Sequence, residues 1–124
     1  MKVTYLIVSF IIINGLLIGC SDQRSVEFVG EGNNLEGKYT AHIQGENQED
    51  IDYIIRYIGS NSPPDTINYK IDSLEVTGAT LNENAYVEHT NNRCSGCAIT
   101  NENNELEVTI KWEEESESFY LTSN

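Results

Sequence analysis

Between residues 106 and 112 the apolar side chains fall on every second position: Leu106, Val108, Ile110 and Trp112, with Glu107, Thr109 and Lys111 between them. A period of two is what a half-buried strand requires, because successive side chains leave the backbone on opposite faces. The pattern recurs along most of the chain. Val26 and Phe28 share one side of a first, edge strand. Tyr39, Ala41 and Ile43 alternate with Lys38, Thr40, His42 and Gln44. Ile51, Tyr53, Ile55 and Tyr57 point one way and Ile54 and Ile58 the other, which predicts a strand buried on both faces. Ile67, Tyr69 and Ile71 follow, then Leu74 and Val76, with Gly78 marking a bulge. Residues 86–90, a short stretch at 98–100, and Phe119 with Leu121 complete the set. Polar breaks fall at 30–34, 45–50, 59–65, 82–84 and 113–116. The break at 59–65 holds Pro63 and Pro64, which cannot both donate to a ladder. Residues 46–58 also fit helical spacing, but their β-branched and aromatic content favours strand. The expected fold is all-β: an immunoglobulin-like antiparallel β-sandwich of seven to nine strands, spanning 26–124, after an N-terminal signal peptide helix.

The chain has 124 residues, and its first 19 do not belong to that fold. A core must therefore come from about 100 residues, enough for one domain with little margin. Seven Lys plus Arg stand against 20 Asp plus Glu, a formal net charge of −13. Such a field repels phosphate backbones, so nucleic acid is not an expected partner. The plain reading of the acid is a solvated surface; a cationic partner is compatible with it.

The N-terminus has the form of a secretory signal: Lys2, an apolar run from Val3 interrupted by Thr4, Tyr5 and Ser9, then Asn14-Gly15 and small residues before a cysteine. The apolar stretch is short for a membrane span. Leu17-Ile18-Gly19-Cys20 resembles the lipobox of bacterial lipoproteins. That resemblance implies cleavage between Gly19 and Cys20, a diacylglyceryl thioether on Cys20, and a chain held at the extracytoplasmic face of the cell membrane. Two acyl chains anchor stably, since each buried methylene contributes about 0.8 kcal/mol. Residues 1–19 would be the signal peptide and 20–25 a polar tether. Cleavage removes Lys2 and no acid, so the mature chain would carry 6 bases against 20 acids, a net −14.

From Val26 onward the chain carries Phe28-x-Gly30-Glu31-x-x-Asn34, Gly37-x-Tyr39, Tyr57-Ile58-Gly59, Pro64, Ile67-x-Tyr69-Lys70-Ile71, Cys94-Ser95-Gly96-Cys97-Ala98 and Ile110-Lys111-Trp112. In these it resembles a group of small uncharacterised lipoproteins of bacilli and their relatives. The resemblance implies surface attachment and a β-sandwich, and brings no activity with it. Leu35 stands where that pattern has Trp. Glu113-Glu114 stands where Asn-Gly would make a tight turn, which implies a longer hairpin loop here.

With Cys20 claimed by lipid, Cys94 and Cys97 remain, an even pair in an oxidising compartment. A disulfide between them is the expected state. It would close a four-residue loop and stabilise by about 2 kcal/mol, pinning a turn rather than the domain. A redox pair would need a lowered thiol pKa, usually supplied by a helix N-terminus. A metal site would need four ligands, with His42 and His89 completing the set. Free thiols are the fourth alternative. His42 falls on the polar face of its strand, where an idle, exposed histidine is expected. No serine, histidine and acid set carries a local signature. The acidic runs at 46–52 and 113–115 lack the spacing of a calcium loop, and the tyrosines and Trp112 fall on strand positions, where packing is the ordinary role.

The expected function is accordingly a non-enzymatic binding or structural module, tethered to the membrane and facing a protein or cell-wall partner, with no cofactor and no catalytic set. The alternative is a thiol-disulfide or metal-handling protein working through Cys94 and Cys97.

Overall fold

The computed structural model describes residues 23–95 and 98–123. The expected signal peptide, the cleavage at Gly19 and Cys20, the lipid on Cys20 and the Cys94–Cys97 disulfide lie outside the described residues. Eight strands make up the fold: β1 (Gln23–Glu31), β2 (Leu35–Gln44), β3 (Gln48–Tyr57), β4 (Thr66–Ile71), β5 (Leu74–Thr80), β6 (Tyr86–Ser95), β7 (Glu105–Trp112) and β8 (Glu115–Thr122). Every pairing is antiparallel, and no helix occurs among the described residues. The class is all-β, with a strand count inside the expected range.

The strands form one continuous order, β5-β4-β7-β8-β1-β2-β3-β6, rather than two separate sheets. Two halves of four strands, β5-β4-β7-β8 and β1-β2-β3-β6, join at the single register pair Val29↔Thr122. In a flat sheet β4 and β3, five places apart, would lie about 24 Å from one another. Instead the Tyr53 hydroxyl on β3 meets the Tyr69 hydroxyl on β4 at 2.6 Å. The sheet therefore curls until its halves face each other across one interior, closer to an open barrel than to two stacked layers.

The inward rows fill that interior. Phe28, Leu35, Ile43, Ile55, Ile67, Val108, Ile110 and Leu121 are the largest side chains fully withdrawn from water. Each contributes roughly 1.5–3 kcal/mol of apolar burial. The alternation of β7 is followed closely, with Leu106, Val108, Ile110 and Trp112 all buried. Glycine is required where the halves meet: a Cβ on Gly30 would collide with the Tyr120 carbonyl oxygen, so only a residue without one lets β1 pass so close to β8. The bulge expected near Gly78 is present. Register shifts between Ile67 and Tyr69, and the Asn68 side-chain oxygen accepts the Gly78 N–H at 2.7 Å.

Several local expectations are corrected. β3 is not buried on both faces: Ile54 is half-buried and Ile58 is 41 % exposed, because nothing among the described residues packs on the outside of the curl. β1 is an interior strand of the order, flanked by β8 as well as β2. Its pairing begins at Gln23↔Gln44, so residues 23–25, polar enough to read as a tether, already belong to the sheet. The break at 45–50 shrinks to a turn at 45–47. Residues 98–100 are not a strand; there Thr100 donates its N–H (3.0 Å) and hydroxyl (2.9 Å) to the buried Glu49 carboxylate in place of a ladder partner. The β7–β8 connection is a tight two-residue turn, with Trp112↔Glu115 paired and Glu113 at φ 51°. Its positive φ does for glutamate what Asn-Gly does elsewhere.

Candidate functional site

β5 and β6 follow one another in sequence, yet they do not pair. The chain reverses between them through residues 81–85. Asn82 builds this reversal: its side-chain oxygen accepts the N–H groups of Asn84 (2.9 Å) and Tyr86 (3.2 Å), an Asx arrangement suited to tight turns. Its own N–H donates to the Tyr86 carbonyl at 3.0 Å, and its carbonyl accepts the Ala85 N–H at 2.9 Å, with Ala85 at φ 63°. The two flanks are then pulled to opposite halves of the molecule. Leu81 donates to the Asp65 carbonyl at 3.0 Å, on the side of β4, while Ala85 accepts from Tyr57 at 2.8 Å, on the side of β3. The result is an arch, with β5 and β6 splayed apart as the two ends of the strand order.

Between them lies a cleft of about 430 Å³, lined by Tyr69, Val76, Ala79, Thr80, Asn82, Tyr86, Val87, Glu88 and His89. Its floor is aromatic. Tyr53 and Tyr69 join hydroxyls there, and the His89 ring stacks on Tyr53 at 5.4 Å and 12°. Burial, followed by the hydrogen bond with Tyr53, raises the Tyr69 hydroxyl far above the ordinary tyrosine range. The Tyr69 hydroxyl therefore stays protonated and acts as a polar fixture rather than as a base. Arg56 lies over the Tyr86 ring at 5.3 Å at the arch end of the cleft. The lining mixes apolar, hydroxyl and amide groups with one carboxylate, Glu88, a composition suited to recognition.

A second depression, about 570 Å³, lies over Val29, Gly30, Gly37 and Ile54. Both of its cations are engaged, Lys38 with Glu27 at 3.3 Å and Arg56 with Glu36 at 3.5 Å.

His42 is not the idle residue expected. Its Nε2 lies 2.9 Å from the Asp52 carboxylate and its Nδ1 3.0 Å from the Ser25 hydroxyl. Three strands thus assemble a serine, a histidine and an acid that no local spacing announced. Asp52 accepts the Asn91 N–H at 2.8 Å, and that bond, with His42 beside it, holds its carboxyl below the usual carboxylate range. The row sits on the outer face, with the His42 and Asp52 side chains 43 % and 34 % exposed. It ties β1, β2 and β3 together laterally and lacks the water-excluded surroundings in which an oxyanion is stabilised.

Cys94 pairs with Glu49 near the end of β6, on strand backbone rather than at the helix N-terminus that usually activates a thiol. The two histidines are not brought together. His42 is engaged by Ser25 and Asp52, whereas the exposed His89 stacks on Tyr53, so the two have separate partners. Among the described residues no three His, Cys, Asp or Glu side chains cluster in metal-binding fashion. The arch and its cleft escaped the sequence because residues 82–84 read only as a polar turn. The splaying depends on Asp65 and Tyr57, both distant in the chain. No known protein family, curated protein or solved structure matches this chain.

Proposed function

We propose that the chain is an extracytoplasmic lipoprotein, cut between Gly19 and Cys20, anchored to the cell membrane by diacylglyceryl on Cys20, and carrying a non-enzymatic binding module. The observation that carries the anchor is the run Leu17-Ile18-Gly19-Cys20 behind a basic start and a short apolar stretch. Support for a binding module comes from the splayed β5–β6 edge of the curled sheet, with its aromatic-floored cleft. The net charge of −13 favours a basic protein or cell-wall partner over nucleic acid.

Mass spectrometry of the membrane-extracted protein tests the reading. The expected mature chain starts at Cys20 and carries the mass of a diacylglyceryl group. An intact leader, or an unmodified thiol at the mature terminus, would overturn it.

A further inference from the structure

We propose that the open edge of β6 at Glu88 takes up a short, extended, basic peptide, which adds to the sheet as one more strand. This deepens the binding-module reading and rests on it.

Backbone polarity carries the argument. β6 pairs only with β3 and β5 only with β4, so among the described residues each presents one unmatched line of N–H and C=O groups. Such a line is a template for another strand. In an antiparallel ladder both groups of every second residue turn to the same side. On β6 the residue turned away from β3 at the arch is Tyr86, and Asn82 already occupies it, donating to its carbonyl and accepting its N–H. Asn82 thus sits where the first residue of an added strand would sit. The next position turned outward is Glu88, and its N–H and C=O form the open rung. Beyond it the edge is broken by a bulge: register shifts between Ile51 and Tyr53 before pairing resumes at Asn92, and Asn91, at φ 57°, is held by Asp52. The usable edge therefore runs from Tyr86 to His89, four residues or about 13 Å.

The side chains identify the guest. Val76 and Ala79 are only half-buried, while Ile67 and Tyr69 beside them on β4 are 1 % and 5 % exposed. The interior is thus uncovered on the β5 side, ready for alternate apolar residues of an incoming strand. Glu88 is the one carboxylate of the lining, which contains no Lys or Arg, in a chain of net charge −13. Basic side chains on the other face of the guest would meet it. Eight strands with only antiparallel pairings leave β5 and β6 running in opposite senses, so one inserted strand is antiparallel to just one of them. The bulge near Gly78 falls within the short β5, whereas β6 keeps an unbroken run from Tyr86 to His89, so β6 is the partner.

The test uses the full chain in detergent micelles and a capped peptide of alternating Lys and Val, seven residues long. Binding is expected, with the Glu88 amide protected from hydrogen exchange. A version with Glu in place of Lys should not bind. N-methylation of alternate residues in at least one of the two phases should abolish binding. Glu88→Lys, an exposed change that leaves the fold intact, should weaken binding about tenfold. Equal binding of the Lys and Glu peptides, indifference to N-methylation in both phases, or protection confined to other strands would overturn the proposal. Absence of binding by a chain whose Cys20 is lipidated would sink the peptide site alone, and a missing lipid on a chain that binds the peptide would sink the anchor alone.

Discussion

Tyr53 and Tyr69 face each other across the interior with hydroxyls 2.6 Å apart and rings edge to face at 5.7 Å and 75°. One hydroxyl donates and the other accepts, and this bond links β3 to β4 where the sheet's two halves confront each other. Removing one partner strands the other in a buried place. Tyr53→Phe or Tyr69→Phe alone is expected to cost about 1–3 kcal/mol, while the double variant is expected to recover most of the loss. Urea unfolding of the four proteins measures the cycle.

Tyr39 gives a pH signature. Burial, and next the Glu49 carboxylate, push its hydroxyl from the ordinary 10.0 up to about 12. A folded-state pKa above the unfolded value means that the protonated form is favoured in the fold. The stabilisation is complete below pH 10 and is lost as pH rises towards 12. Tyr69, shifted in the same direction, adds to the decline. Stability measured on both sides of pH 10 should fall on the alkaline side, and Tyr39→Phe should flatten part of that slope.

Glu117 on β8 clasps the β1–β2 turn. Its carboxylate accepts the Asn34 N–H at 3.0 and 3.1 Å, the Asn34 side-chain amide at 3.0 Å and the Leu35 N–H at 3.2 Å. Charge-assisted bonds of this kind carry more than neutral ones, and Glu117→Ala is expected to cost about 2–3 kcal/mol. A Cβ on Gly32 would collide with the same carboxylate. Gly32→Ala should therefore be costly in the native protein and nearly silent beside Glu117→Ala, a non-additivity that denaturant titration resolves.

The turn at Glu113 stores strain, since an L residue other than Gly pays about 1–2 kcal/mol to sit at its φ of 51°. Glu113→Gly is expected to stabilise by up to about 1 kcal/mol, the gain being offset in part by the greater freedom of glycine in the unfolded chain. In a domain of this size that raises Tm by about 5 °C, which calorimetry detects.

The strands were legible because burial here is one-sided. Leu106 to Trp112 and Ile67 to Ile71 keep a strict period of two, and the structure keeps it with them. β3 misled because Ile54 and Ile58 are apolar on a face left open by the described residues; composition cannot say that these put no outer layer on the curl. Residues 98–100 misled because their partner is a side chain, Glu49, 51 positions from Thr100. The site was less legible still. His42, Ser25 and Asp52 meet through strand register, 17 and 10 residues apart, and the β5–β6 cleft depends on which half of the sheet each flank of the arch joins. Register and curl are set by the whole interior and leave no local spacing to read.

The early start of β1 bears on how such a molecule would stand. Only Ser21 and Asp22 separate Cys20 from Gln23, about 11 Å of fully stretched chain. With Cys20 in the bilayer, as proposed, there is no stalk, and the foot of the module is the rim where Gln23 meets Gln44, Gln44 meets Gln48, and Gln48 meets Ser95. The opposite rim, where Glu31 meets Glu36, Glu36 meets Arg56 and Arg56 meets Tyr86, is lifted some 30 Å by the length of the strands. The end of β3 at Gln48 would then lie by the lipid headgroups, while the mouth beside Tyr86 looks outward, towards whatever arrives from the surroundings.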